Sequence, residues 1–128
     1  MVGKGCFYTD INIEAAAAGN AGMLSLANPE GRDLIITRFI IHTTTAATGA
    51  TTIDAGIDAD GTGTSDTLLD GVTVNAVGIR DNITDQAGNG LQATTWADDQ
   101  FITITKSAGG ALAEVGLGAR VFVEYIRA

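Results

Sequence analysis

Histidine, cysteine, tryptophan and proline each occur once in this chain, and aromatic residues make up only 5% of it. With a single His42 and a single Cys6, an internal disulfide is impossible, as is a metal site built from several His or Cys ligands. Little is left for acid–base or nucleophilic chemistry, which draws on His, Cys or a perturbed Lys beside a carboxylate. We therefore read no catalytic residue, no cofactor and no enzyme from the sequence, and expect a β scaffold that binds something. Scarce aromatics also mean a core of small aliphatics. That suits a thin two-sheet sandwich, or a protein that completes its core by oligomerising.

Positive charge is scarce too. Seven Lys and Arg face 15 Asp and Glu, for a formal net charge of −8. An acidic balance repels phosphate, so nucleic acid is not an expected partner. No apolar run reaches the roughly 18 residues of a membrane-spanning helix, so no membrane is expected either. The start, Met1 to Phe7, has one charge and no long apolar stretch, and does not read as a signal peptide. Asn82-Ile83-Thr84 matches a glycosylation sequon, which we read as coincidence without a secretion signal.

What the chain does have is strand pattern. Ala21 to Ala27 reads as a short strand, stopped by the turn residues Asn28-Pro29-Glu30-Gly31. Asp33 to Thr43 is β-branched and nearly continuously apolar, as expected of a central strand. Strict alternation puts Leu34, Ile36, Arg38, Ile40 and His42 on one face of it, and these five are candidates for an oligomer interface. Thr51 to Asp58 alternates sharply, with Ile53, Ala55 and Ile57 pointing one way. A Gly/Thr loop follows, then Asp66 to Gly71 as a capped turn. Val72 to Val77, Gly78 to Asn82, Gly90 to Thr95, Gln100 to Ser107 and Ala119 to Arg127 complete the set. About eight strands with turn signals at short spacing predict an all-β fold, an antiparallel β-sandwich of jelly-roll type. The sandwich domain spans 21–128. Residues 1–20 form an N-terminal arm or a first strand, and their apolar residues Phe7, Tyr8, Ile11 and Ile13 are candidates for contact with a partner.

The densest carboxylate cluster is Asp54, Asp58, Asp60, Asp66 and Asp70. Asp58-Ala59-Asp60-Gly61 resembles the start of a calcium loop, which makes Asp58, Asp60 and Asp66 metal candidates. The rest of such a loop is missing, and Asp-Gly is a favoured turn pair, so turn chemistry is the expectation and no metal is assigned. Trp96 beside Asp98 and Asp99 could stack on a sugar, although a Trp more often anchors a loop. His42 reads as a strand-end histidine. Gly61-Thr62-Gly63 and Gly116-Leu117-Gly118 lack the features of a phosphate loop.

Three segments carry a family resemblance. They are Asn28-Pro29-Glu30-Gly31 before Leu34-Ile35-Ile36, Thr44 to Ala50 leading into Thr52 to Ile57, and Ser65 to Gly71 followed by Asp81-Asn82-Ile83. Across 22–126 the chain resembles capsid decoration (cement) or head-fibre base proteins of tailed phages. The resemblance implies a virion protein on the outer surface of the capsid, with the major capsid protein and itself, as a homotrimer, for partners. Phe7, Tyr8, Ile11 and Ile13 would then be the capsid contact. The alternative readings are a carbohydrate-binding or adhesin-like sandwich using the loops near Trp96 and 58–70, or another minor head or tail protein.

Overall fold

The computed structural model describes residues 3–12, 22–47, 51–85, 93–108 and 117–128. Among them run nine strands and no helix: β1 (Lys4–Asn12), β2 (Gly22–Ala27), β3 (Leu34–Thr45), β4 (Thr52–Asp58), β5 (Leu69–Thr73), β6 (Gly78–Asp81), β7 (Thr94–Trp96), β8 (Phe101–Ala108) and β9 (Gly118–Arg127). They form two sheets in which every pairing is antiparallel. One has the order β1-β9-β3-β6, with β7 also on β3. The other has the order β2-β8-β4-β5. The chain is thus an all-β, antiparallel sandwich.

Alternation explains the core. β9 places Ala119, Val121, Val123 and Tyr125 inward, and β8 places Ile102 and Ile104 inward. Ile53 and Ala55 from β4, Leu69 and Val72 from β5, and four residues of β3 meet them. Each large aliphatic side chain so buried contributes about 1.5–3 kcal/mol. β5 begins at Leu69, inside the segment expected to be a turn, because Leu68 and Leu69 are wholly buried.

β3 does not keep strict alternation. Ile36 faces Tyr125 and Arg38 faces Glu124, so Thr37 is an extra residue, a β-bulge. The bulge reverses which parity points inward. Leu34 and Ile36 are buried before it, and Phe39 and Ile41 after it. The expected single face of Leu34, Ile36, Arg38, Ile40 and His42 is therefore corrected. Leu34 and Ile36 belong to the chain's own core, while Arg38, Ile40 and His42 point outward.

Beside the bulge, the edge of β3 changes partner. β7 pairs with residues 34–36 and β6 with residues 40–43. Asn82 fills the gap between them. Its Oδ1 accepts the Phe39 amide at 2.7 Å, and its backbone N–H donates to the Phe39 carbonyl at 3.1 Å. A side chain thus stands in for a missing ladder residue, and the buried polar groups are satisfied.

Candidate functional site

Three regions were singled out by the sequence, and the fold separates them. The first is the outer face of the five-stranded sheet. Arg38 is exposed there, and Ile40 and His42 are half-buried. The register sets Ile40 beside Phe122, His42 beside Ile79, and Arg38 beside Glu124. The Arg38 guanidinium lies 3.2 Å from Asp81 Oδ2. Burial raises the Asp81 carboxyl, but hydrogen bonds from the Thr84 and Ile83 amides, the Thr84 hydroxyl and Arg38 outweigh it and hold it below its ordinary value. Asp81 Oδ1 accepts both amides at 2.8 Å, which closes the 81–85 turn and presents Asn82 to β3.

Three exposed apolar residues that the sequence reading did not single out lie in β6 or within a few residues of it. Val77 is 65% exposed, Ile79 56% and Ile83 42%. In the sequence these residues look like ordinary strand and turn positions. Of the three, Ile79 lies in β6 and Val77 and Ile83 flank it.

The second region is the N-terminal strand. β1 pairs with β9 over its whole length, from Lys4 opposite Ile126 to Asn12 opposite Gly118, and forms one edge of the five-stranded sheet. The side chains of Phe7, Tyr8 and Ile11, and Ile13 altogether, lie outside the described residues. A clasp joins this edge to the neighbouring turn. The Arg127 amide donates to Gly3 O at 2.7 Å, and its Nη1 donates to Lys4 O at 2.9 Å. Its Nε and Nη2 form a bidentate pair with Glu30, at 2.6 and 2.5 Å. Hydrogen bonding to Arg127 holds the Glu30 carboxyl below its usual range despite partial desolvation, with Tyr125 helping. Asn28 builds the turn that carries Glu30. Its Oδ1 accepts the Glu30 and Gly31 amides, and its Nδ2 lies within 3.1 Å of the Arg32, Trp96 and Ala97 carbonyls.

The third region is the acidic loop. Asp58 Oδ2 accepts the Gly61 amide at 2.8 Å and the Gly63 amide at 3.1 Å. Asp60 Oδ1 accepts the Thr62 hydroxyl at 2.7 Å and its amide at 3.0 Å, and these bonds lower its pKa. Asp54 Oδ1 accepts the Gly71 amide at 2.8 Å, yet burial pushes its carboxyl up, with Asp70 and Asp66 adding to the rise. These carboxylates hold turns. Asp58, Asp60 and Asp66 form no group of three acidic or His/Cys ligands among the described residues.

Trp96 is wholly buried, and its indole N–H donates to the Gln100 carbonyl at 3.0 Å. It anchors the 96–100 turn, as a Trp at such a position more often does, and presents no surface to a sugar, which removes the stacking alternative. Asn82 is likewise wholly buried, so the sequon is closed to modification in the folded chain.

No protein-family model matches the sequence, and no curated protein does. Solved structures do match. A chain from the capsid of Ralstonia phage GP4 superposes with a TM-score of 0.62 at 18% identity, over 100% of this chain and 85% of that one. A chain from the capsid asymmetric unit of cyanophage Pam1 gives a TM-score of 0.51 at 15% identity, over 99% and 85%. The fold is shared with chains of phage capsids.

Proposed function

We propose that this chain is a structural protein of a phage virion, a decoration or cement protein that binds the outer capsid surface as a homotrimer. The observation that carries the reading is the extent of the likeness, which takes in the whole chain and 85% of the Ralstonia phage GP4 capsid chain. Without the three-residue β7, the strand orders β1-β9-β3-β6 and β2-β8-β4-β5 follow the double Greek-key pattern of a jelly roll. A cement role needs binding surfaces more than reactive groups, in keeping with a sequence poor in His and Cys.

Two surfaces fit the two partners. β1 is an edge strand, and a capsid strand adding to it would gain backbone hydrogen bonds, with Phe7, Tyr8, Ile11 and Ile13 as the contact residues. Arg38, Ile40 and His42, continued by Val77 and Ile79, would meet a second copy. Leu34 and Ile36 take no part, since both are buried in their own core. Three modest contacts joined in one trimer hold far more tightly than each alone.

The decisive experiment is co-sedimentation with purified capsids stripped of their outer proteins. We expect saturable binding and a raised capsid melting temperature. Protein that stays in the supernatant at every capsid concentration would refute the cement role.

A further inference from the structure

Edge strands carry backbone groups that no neighbour uses, and folded proteins commonly blunt them. The five-stranded sheet ends in β6 on one side and in β1 on the other. β6 is blunted by nearby side chains. Its Ile79 carbonyl accepts Arg80 Nη1 at 3.1 Å, and its Asp81 amide donates to Asp85 Oδ2 at 3.0 Å. β1 is treated differently along its length. The Arg127 amide bonds to the Gly3 carbonyl, so odd-numbered residues from Gly3 onward turn their backbone groups toward β9. Lys4, Cys6, Tyr8, Asp10 and Asn12 therefore turn theirs to the free edge. Lys4 is capped there. The Arg127 side chain crosses the strand, and its Nη1 donates to the Lys4 carbonyl at 2.9 Å. Two glycines open that path. A Cβ on Gly3 would stand 2.6 Å from Arg127 Nη1, and one on Gly5 would overlap the Tyr125 ring. The Glu30 carboxylate holds both side chains in place, bonded to the Arg127 guanidinium and the Tyr125 hydroxyl.

Beyond the clasp the edge is open. The outward backbone groups of Cys6, Tyr8, Asp10 and Asn12 meet no cap among the described residues. They span about 20 Å, the length of an ordinary strand. Unpaired N–H and C=O groups at strand spacing match another extended backbone, which fills every rung at once. Two occupants have that chemistry. A second copy would pair β1 with β1 about a two-fold axis, which closes a dimer and does not build the proposed trimer. A strand of the capsid protein carries no such constraint. The clasp then has a role besides stability. It fills the edge at Lys4, so an added strand can run along Cys6 to Asn12 and no further toward Gly3.

We propose that an extended segment of the capsid protein adds to β1 over Cys6 to Asn12, and that the Arg127–Glu30 clasp ends the site. This rests on the capsid-binding reading above and adds which backbone groups carry the contact and what limits it. Proline substitution tests it. Pro removes one N–H, and an edge strand accepts it where that N–H faces away from the ladder. Pro at positions 4, 6, 8 and 10 is compared with Ala at the same position by co-sedimentation with stripped capsids, and melting temperatures check the folding. Cys6→Pro, Tyr8→Pro and Asp10→Pro should each bind about tenfold more weakly than their Ala counterparts at similar melting temperatures, since a carbonyl of the added strand loses its donor. Lys4→Pro should bind like Lys4→Ala, because the clasp already fills that place. Thr9→Pro should lower the melting temperature, since its N–H belongs to the β9 ladder. Pro variants at 6, 8 and 10 that bind like their Ala controls would overturn the proposal and leave the cement role standing. So would a loss in Lys4→Pro equal to that in Tyr8→Pro, or a Thr9→Pro protein that melts normally while Tyr8→Pro unfolds. A wild-type dimer that Tyr8→Pro dissolves would overturn it by giving the edge to a second copy. Wild-type protein that leaves the capsids unbound would refute the cement role and this inference together.

Discussion

Removing the Asn82 side chain leaves the Phe39 amide without its 2.7 Å acceptor inside the core. We expect Asn82→Ala to lower stability by about 1–3 kcal/mol, read as a fall in the urea midpoint, because a buried donor loses its partner. A midpoint unchanged within error would mean that water replaces the amide. Titration offers a second check at this scale. The folded-state pKa of Asp81 is lowered, so its contribution is present above the unfolded value, roughly 3.9, and is lost as pH falls through the folded pKa. Asp54 has the opposite sign. Its raised pKa means the charged form is disfavoured in the fold, so it costs stability at neutral pH and the cost disappears on acidification. Asp54→Asn keeps an acceptor for Gly71 and should raise the melting temperature at pH 7, with the gain shrinking as pH falls through the raised folded pKa and gone below about pH 4. A gain that grows on acidification would contradict this assignment.

Among the elements, β1 is the one on which the proposed capsid contact turns. Its nine residues pair continuously with β9, and Arg127 ties its start to the Glu30 turn. Deleting residues 1–13 should uncover the β9 edge, an apolar strand with Val121, Val123 and Tyr125 on its inner side. We expect the truncated protein to aggregate on size-exclusion chromatography. If it stays monodisperse with an unchanged β circular-dichroism spectrum, the segment is a detachable clamp. Loss of capsid co-sedimentation alone would then assign the contact to it.

For the molecule as a whole, the expected state is a trimer. Sedimentation equilibrium of the wild type should give three times the chain mass. Val77→Glu with Ile79→Glu, at positions 65% and 56% exposed, should keep the fold and release monomers. A wild-type monomer at all concentrations would remove the homotrimer from the proposal.

Much of this architecture was legible in the residues alone. Turn pairs and period-two alternation are local signals, so β2, β4, β8 and β9 stand close to their expected positions. The turn built by Asn28 and those held by Asp58 and Asp60 use the side-chain chemistry that their sequence suggests. The acidic balance is fixed by composition. Other features depend on which strand lies alongside, and no local pattern records that. The Thr37 bulge is defined only against Glu124 of β9, and it moved Leu34 and Ile36 from a proposed interface into the core. Trp96 is buried because β7 shares the edge of β3 with β6. Thr103 and Thr105 sit on the face that alternation assigns to solvent, yet each is only 2% exposed. A strand pattern determines which residues share a face, and only the tertiary fold decides what covers that face.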